Sequence, residues 1–203
     1  QANLQSPEKI QDCLNKINVS SRHLLNLINE VLDMSRIESG KIDLISENVS
    51  LPELIEDVMD VFRPLAAEKH LELQINADHV RHEKVVTDQN RLQQVLVNLL
   101  SNAIKYTPEG GSVGLRVREI PAFAKGKGQY EFIVTDNGIG MSGDFIPHIF
   151  EPFSRTEESK TNQIQGTGLG MAITKELLDL MGGSIEVDSK PGVGSTFTMK
   201  IPF

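Results

Sequence analysis

One stretch of the chain, from Asp88 to Thr107, constrains the fold more than any other. Its sequence, DQNRLQQVLVNLLSNAIKYT, repeats apolar residues every three or four positions, which predicts a single amphipathic helix. The apolar face of that helix comprises Leu92, Val95, Leu96, Leu99, Leu100, Ala103 and Ile104. At about 100° per residue, the opposite face collects Arg91, Gln94, Asn98, Asn102 and Lys105. An apolar face this long requires burial, so we expect the domain to be built around this helix.

The polar face of this helix has an unusual composition. Surface helices generally carry glutamate and lysine there, whereas this helix carries three carboxamides flanked by two cations. An amide oxygen is a hard, neutral metal ligand, and an ammonium group neutralises phosphate charge. The face therefore suits a metal-bound polyphosphate. A polar face that simply meets water explains this helix equally well when it is considered alone.

The overall composition excludes several classes of protein. The 203 residues are 39% hydrophobic and 24% charged, as in a soluble globular protein, and the net charge of −8 gives no reason to expect nucleic acid or an anionic membrane as partner. The single cysteine, Cys13, excludes an intrachain disulfide, fits a reducing compartment and disfavours a zinc site. No apolar run approaches the roughly 20 residues of a membrane helix, and we find no signal peptide. We therefore expect a soluble fragment without direct membrane contact.

The first part of the chain predicts one long helix, from Ser6 to about Ser39. Ser6 suits the N-cap, Pro7 the first turn and Gly40 a left-handed C-terminal cap. A heptad seam runs through Ile10, Leu14, Ile17, Ser21, Leu24, Ile28, Val31 and Ser35, and is widened by Leu25 and Leu32. A helix cannot bury such a seam against itself, so we expect partner helices from a missing segment or a second chain.

After residue 40 the pattern changes to strands and shorter helices. An extended segment from Ile42 to Asn48 precedes a predicted helix from Pro52 to about His70, in which Pro64 could produce a kink or a break. Further strands are predicted at 71–75, 85–87, 112–119, 129–135, 184–188 and 195–201, with another helix at about 169–181. Together these helices and strands predict an α+β fold. We expect a two-layer α/β sandwich, with a mixed, mainly antiparallel sheet and helices on one face, preceded by the one long bundle-type helix.

A second polar feature, Asp136-Asn137-Gly138-Ile139-Gly140, follows the predicted strand 129–135. A carboxylate at a strand end can accept a hydrogen bond from an exocyclic amine, while flexible glycines let the backbone close over a ring. Such a carboxylate favours adenine over guanine, which presents an oxygen at that position. The Asp-Asn-Gly sequence is also an ordinary turn signal, and that interpretation stays open.

A third feature, Gly166-Thr167-Gly168-Leu169-Gly170, opens the predicted helix at about 169–181. Glycines at a helix N-terminus let backbone N–H groups and the positive end of the dipole face an anion. The spacing differs from a dinucleotide fingerprint, and the Gly-Lys-Ser/Thr of a P-loop is missing. A glycine-rich hinge is the alternative. The polar stretch from Ser154 to Gln165 before it has the composition of a mobile lid.

In this order, the stretches resemble the motifs of the catalytic, ATP-binding domain of sensor histidine kinases of two-component systems. The resemblance rests on NLLSNAIKYT at 98–107, DNGIG at 136–140, FEPF at 150–153 and GTGLGM at 166–171. GSTF at 194–197 resembles the closing strand of the wider ATPase group of gyrase, Hsp90 and MutL. The resemblance covers essentially residues 41–203 as the catalytic domain. Residues 1–40 resemble the second helix of the family's dimerisation and phosphotransfer domain.

This resemblance implies ATP and Mg²⁺ as cofactors and a role for each matching residue. Asn98, Asn102 and Lys105 are the candidate catalytic residues, with Asn102 as the Mg²⁺ ligand and Lys105 in contact with phosphate. Tyr106 would lie near the nucleotide, and Asp136 would bind the adenine amine. The remaining implied nucleotide-binding residues are Gly138 and Gly140 at the adenine, Gly166, Thr167, Gly168, Leu169 and Gly170 at the phosphates beneath the lid, and Thr196 in support of Asp136. For Phe150 and Phe153 the resemblance implies anchoring of the lid base, and plain core packing is the alternative.

Asn98 separates two classes within this resemblance. The related ATPases place a glutamate there, as a general base that activates water, and an amide cannot take that proton. We therefore expect slow hydrolysis and transfer of the γ-phosphoryl group to a histidine. A gyrase/Hsp90-type ATPase and a non-catalytic ATP-binding or dimerisation module are the alternatives.

The acceptor histidine that the resemblance implies has no counterpart in this sequence. The family's motif is of the Ser/His-Glu/Asp-hydrophobic-Arg-Thr-Pro kind, and it surrounds none of His23, His70, His79, His82 and His148. We expect a fragment that binds ATP without phosphorylating itself. Its expected partners are the acceptor histidine of the parent's dimerisation domain and the receiver domain of a response regulator. We expect the parent to be homodimeric through its helical bundle, to be cytoplasmic or anchored in the inner membrane, and to have no nucleic-acid partner.

Overall fold

Two units make up the chain, Gln1–Lys41 and Ile42–Phe203. The computed structural model describes residues 7–40, 42–77, 80–121, 128–155 and 166–203 of them. The assignment of residues 1–40 to a dimerisation domain and of residues 41–203 to a catalytic domain stays a prediction.

The first unit contains helix α1, Pro7–Glu38, which the heptad pattern predicts. The large apolar side chains along its seam are 41% to 62% exposed, and they are Ile10, Leu14, Ile17, Leu24, Leu25, Ile28, Val31 and Leu32. A helix with this much uncovered apolar surface gains stability when partner helices cover it.

Among the described residues of the second unit, seven strands form two sheets. They are β1 Glu47–Ser50, β2 Glu72–Asn76, β3 Lys84–Thr87, β4 Ser112–Ile120, β5 Gln129–Asp136, β6 Ser184–Lys190 and β7 Gly194–Pro202. The main sheet has the order β2-β4-β5-β7-β6, in which β2 runs parallel to β4 and the other neighbours are antiparallel. This confirms the predicted mixed, mainly antiparallel sheet. Strands β1 and β3 form a separate antiparallel pair, so β1 begins at Glu47, where pairing with Thr87 starts, rather than at Ile42.

In the part of the second unit that the structure describes, three helices lie against one face of the main sheet: α2 Leu51–Glu68, α3 Gln89–Tyr106 and α4 Gly170–Leu180. All seven apolar residues predicted for the core face of α3 are buried. Alternate side chains of the central strands are buried towards the helices, namely Val113, Leu115, Val117, Tyr130, Phe132, Val134, Phe197, Met199 and Ile201. This arrangement confirms the predicted two-layer α/β sandwich with helices on one face.

Helix α2 runs without a break through Pro64. A proline inside a helix removes one backbone hydrogen bond, which is why the sequence suggested a kink or a break there. Pro64 lies on the exposed side of α2, where water can solvate the backbone group left without its partner. Phe62 and Ala66, on either side of it, are 3% and 2% exposed and hold the helix against the core. Packing therefore outweighs the local preference of the proline.

Asp88 stabilises the start of α3 through two backbone contacts. Its Oδ1 accepts a hydrogen bond from the N–H of Arg91 at 3.0 Å, and its Oδ2 accepts one from the N–H of Ile45 at 3.0 Å. We expect Asp88→Ala to lower the free energy of unfolding by about 1–3 kcal/mol, because it removes an N-cap and leaves two N–H groups without their partner. Urea unfolding followed by circular dichroism measures this change. Asp88→Asn keeps a capping oxygen and should recover part of the loss; an alanine variant as stable as the wild type would contradict the assignment.

Candidate functional site

The polar face of α3 meets α4 at two carboxamides. Asn98 Nδ2 donates a hydrogen bond to Thr174 Oγ1 at 2.6 Å, and Asn102 Nδ2 donates one to Met171 Sδ at 3.3 Å. Thr174 is 1% exposed, and both asparagines are half-buried. The first turns of α4 therefore cover part of this face. An ordinary face that meets water would be left uncovered.

Lys105 lies at the last turn of α3, beside the glycine-rich segment. Its Nζ is 4.7 Å from the centroid of the Tyr106 ring, a cation–π contact. A Cβ built on Gly166 would lie 2.7 Å from the same Nζ, so the ammonium group and Gly166 are neighbours. The structure thus brings together the predicted phosphate-contacting lysine and the start of the glycine-rich segment.

Asp136 is the last residue of β5, and its side chain lies on the helix-facing side of the sheet. Its Oδ1 accepts a hydrogen bond from the N–H of Gly138 at 2.9 Å. Burial raises the pKa of this carboxyl, while hydrogen bonds from the backbone N–H groups of Gly138 and Ser195 lower it in part. The group is therefore a desolvated acceptor held in place by backbone, as the predicted contact with an exocyclic amine requires.

The loop after Asp136 needs glycine because backbone approaches it closely. A Cβ on Gly138 would lie 2.5 Å from the carbonyl oxygen of Tyr106, and a Cβ on Gly140 would overlap the carbonyl oxygen of Lys190. Gly140 also has a φ of 65°, in the left-handed region. The N–H of Ile139 donates to the carbonyl oxygen of Tyr106 at 3.2 Å, which ties this loop to the end of α3. The two glycines are thus required by the fit of the loop, and their contact with adenine stays a prediction.

The segment 166–170 leads directly into α4. The N–H of Leu169 donates to Thr167 Oγ1 at 3.0 Å, and Gly168 has a φ of 78°. Leu169 is 2% exposed, so its side chain belongs to the core and only its backbone is available to a ligand. A Cβ on Gly170 would lie 2.5 Å from Asn98 Oδ1, so the missing side chain makes room for that carboxamide.

The pairing of β5 and β7 places Ser195, rather than Thr196, opposite Asp136. Thr196 lies opposite Thr135, and the backbone N–H of Ser195 reaches the Asp136 carboxyl. Ser195 Oγ is also 2.9 Å from Ser189 Oγ, which accepts a hydrogen bond from the N–H of Met141 at 2.9 Å. Sequence reasoning missed Ser195 because the register of the two strands cannot be read from either strand alone. The supporting role of Thr196 stays a prediction.

The two phenylalanines of the FEPF motif differ in their surroundings. Phe150 is half-buried, whereas Phe153 is 70% exposed and has a φ of 64°, which is unusual for a bulky residue. The N–H of Phe153 donates to the carbonyl oxygen of Gly168 at 2.9 Å. Core packing is therefore the wrong interpretation for Phe153. Of the predicted lid, Ser154 and Arg155 are described, and residues 156–165 lie outside the described part of the chain.

The donor set at Asn102 fits the implied Mg²⁺. Its amide nitrogen is engaged by Met171 Sδ, which leaves Oδ1 as a neutral oxygen ligand. Mg²⁺ in nucleotide sites takes few protein oxygens and completes its shell with phosphate and water. Among the residues that the structure describes, no group of three or more histidine, cysteine, aspartate or glutamate side chains could hold a metal ion instead. Those described residues also contain no helix long and apolar enough to cross a membrane.

Residues 87–203 match the family described as histidine kinase-, DNA gyrase B- and HSP90-like ATPase, and the chain belongs to this family. It is 36% identical over 196 residues to the autoinducer 2 sensor kinase/phosphatase LuxQ of Vibrio harveyi, covering 95% of this chain and 23% of that protein. It is 40% identical over 193 residues to the sensor protein GacS of Pseudomonas syringae pv. syringae, covering 94% of this chain and 21% of that protein. The chain thus spans about a fifth to a quarter of the length of these curated relatives.

Solved structures agree with this assignment. Full-length ShkA in complex with AMPPNP matches with a TM-score of 0.78 and 31% identity, over 94% of this chain and 38% of that chain. The nucleotide-free catalytic domain of the histidine kinase ThkA matches with a TM-score of 0.65 and 27% identity, over 78% of this chain and 95% of that chain. These comparisons confirm the predicted family and fold: the chain carries an ATP-binding domain of the histidine kinase type.

Proposed function

We propose that this chain is the Mg-ATP-dependent phosphoryl donor of a sensor histidine kinase, and that it transfers the γ-phosphoryl group to a histidine on the parent's dimerisation domain. The arrangement of α3 carries the proposal. Asn98, Asn102 and Lys105 lie on one face of this helix and adjoin the glycine-rich start of α4. The sensor kinase names of the relatives support the same conclusion.

In this proposal each group has one task. The Asp136 carboxylate accepts a hydrogen bond from the adenine amine, and the Lys105 ammonium neutralises phosphate charge. Asn102 Oδ1 is the protein ligand for Mg²⁺, which, when bound, offsets the charge that spreads over the transferred group. Phosphoryl transfer needs mainly positioning and charge neutralisation, and these residues can supply both.

Asn98 disfavours the alternative of a gyrase/Hsp90-type ATPase. Its amide nitrogen donates to Thr174 Oγ1, and a carboxamide has no basic group that could take a proton from water. General-base catalysis contributes about 10²–10⁴-fold, so ATP hydrolysis by this chain should be slower by about that factor than in an ATPase with a glutamate there. Release of inorganic phosphate from ATP, measured on the chain alone, tests this difference.

The same proposal extends to the partners and the compartment. The histidine phosphorylated by this domain would donate its phosphoryl group to an aspartate in a response regulator receiver domain. The parent would dimerise through the exposed seam of α1, and ATP use together with the exposed thiol of Cys13 fits the cytoplasm.

Labelling with γ-³²P-ATP tests the function directly. We expect the chain alone to stay unlabelled, because no acceptor motif surrounds its histidines, and a separately supplied dimerisation domain of the parent to acquire acid-labile phosphate when the chain and Mg²⁺ are added. Lys105→Ala should reduce that labelling. The matched control is Lys200→Ala, which removes a lysine from the opposite face of the sheet. Labelling of His23 in the chain alone, or no labelling of the supplied domain by a chain that binds ATP, would contradict the proposal.

A further inference from the structure

Two contacts one helical turn apart join the polar face of α3 to α4. Asn98 pairs with Thr174 at 2.6 Å, and Asn102 pairs with Met171 at 3.3 Å. Since α4 begins at Gly170, both contacts lie within the first five residues of that helix. Helix α4 therefore supports the two carboxamides from the side where the glycine-rich segment ends.

The Asn98 carboxamide is held at both of its ends. Its nitrogen donates to the hydroxyl of Thr174, a residue that is 1% exposed and so cannot exchange this contact for water without opening the core. Its oxygen lies against Gly170, where a Cβ would come within 2.5 Å. With the nitrogen engaged by Thr174, the oxygen is directed towards the start of α4. Oδ1 only accepts hydrogen bonds, so it can bind a cation or a water molecule bound to the cation. An N–H group at the same place would repel the cation.

We propose that Thr174 is a positioning residue for metal-bound nucleotide. Its hydroxyl anchors the Asn98 carboxamide at the start of α4, with Nδ2 donating to Oγ1, so that Oδ1 is left as the atom that can face Mg²⁺ or its water. Without the hydroxyl, the carboxamide has no fixed partner at this end and can rotate. The inference rests on the proposed function and goes beyond it, because it assigns a role to a buried residue outside the sequence motifs.

A pair of substitutions separates the hydroxyl from the packing of the side chain. Thr174→Val keeps the shape and removes the hydroxyl, whereas Thr174→Ser keeps the hydroxyl. Titration calorimetry with AMPPNP is carried out with saturating Mg²⁺ and again in EDTA. In Mg²⁺ we expect Thr174→Val to weaken the binding of AMPPNP about three- to tenfold, the range for the loss of a neutral hydrogen bond. In EDTA its affinity should equal that of the wild type, and Thr174→Ser should stay within about twofold of the wild type in both conditions.

A double-mutant cycle shows whether Thr174 acts through Asn98. In an Asn98→Ala background, Thr174→Val should cause no further loss of affinity for Mg-AMPPNP. Equal losses in Mg²⁺ and in EDTA would reveal a purely structural role and overturn the inference, and so would an unchanged affinity of Thr174→Val or a full effect in the Asn98→Ala background. A wild-type chain that fails to bind AMPPNP in either condition would instead overturn the proposed function, and the positioning role with it.

Discussion

Replacing Asp136 with asparagine should weaken the binding of AMPPNP at least about tenfold, which corresponds to about 1.5–3 kcal/mol for a hydrogen bond to a charged group. The carboxylate is desolvated and is held by the N–H of Gly138 at 2.9 Å, so its free lone pairs are directed at a fixed position. Asparagine keeps the size of the side chain and removes the charge. Titration calorimetry on the wild type and the variant measures the difference.

A comparison of adenine and guanine nucleotides tests whether Asp136 determines the choice of base. Adenine presents an amine to the carboxylate, whereas guanine presents an oxygen that the carboxylate repels. The wild type should therefore prefer AMPPNP to its guanine analogue, and Asp136→Asn should lose most of that preference, because an amide can also donate. Asp144→Asn is the matched control, since it removes the same charge from an exposed position a few residues further along. Equal losses in the two variants would mean that net charge, rather than contact with adenine, is responsible.

The pH dependence of binding gives an independent measure of the same group. Burial raises the pKa of the Asp136 carboxyl, so the fraction that can accept a hydrogen bond as a carboxylate falls at a pH above the ordinary aspartate value of 3.8. The affinity of the wild type for nucleotide should decrease as the pH is lowered through this raised pKa. Asp136→Asn should lack that part of the dependence. The effect of pH on the stability of the free protein has the opposite sign. The folded chain holds this proton more tightly than the unfolded chain, so the contribution of this group to the free energy of unfolding falls as the pH rises through the same window.

Helical periodicity was sufficient to predict the core face of α3. Each of its seven apolar residues is buried, because the period of 3.6 residues places them on one side wherever the helix packs. The N-cap at Asp88 is likewise a contact within a single turn, between its carboxylate and the N–H of Arg91. Periodicity and capping rules thus describe contacts that lie within one helix or strand.

Contacts between distant elements were beyond these rules. The hydrogen bond between Asn98 and Thr174 joins residues 76 positions apart, and no pattern in α3 indicates which residue of α4 will meet it. The choice of Ser195 over Thr196 as the neighbour of Asp136 depends on the register between β5 and β7. The motif resemblance indicated a candidate site, but the residues that support its side chains become visible only once the layers are packed.

Gly140 illustrates how a motif glycine can be required for a reason that its motif does not show. The carbonyl oxygen of Lys190, from the hairpin between β6 and β7, occupies the place of a Cβ on Gly140, and the N–H of Gly192 in that hairpin donates to the carbonyl oxygen of Ile139 at 2.7 Å. The hairpin therefore holds the loop that follows Asp136 through backbone contacts at Ile139 and at Gly140. We expect Gly140→Ala to lower the free energy of unfolding by about 2–5 kcal/mol, of which about 1–2 kcal/mol comes from the left-handed φ and about 1–3 kcal/mol from overpacking.

The two contributions can be separated with Gly192→Ala. Gly192 has a φ of 73°, close to the 65° of Gly140, but a Cβ on it would meet nothing within 4 Å. This control should therefore show only the conformational cost, about 1–2 kcal/mol in urea unfolding, and should leave nucleotide affinity within about twofold of the wild type. Gly140→Ala should in addition weaken the binding of AMPPNP about tenfold or more in the fraction that stays folded. The added methyl group forces the loop away from Lys190, and this movement displaces Gly138 and its hydrogen bond to Asp136. Equal effects of the two substitutions would show that the backbone conformation alone matters, and that the hairpin does not position the loop.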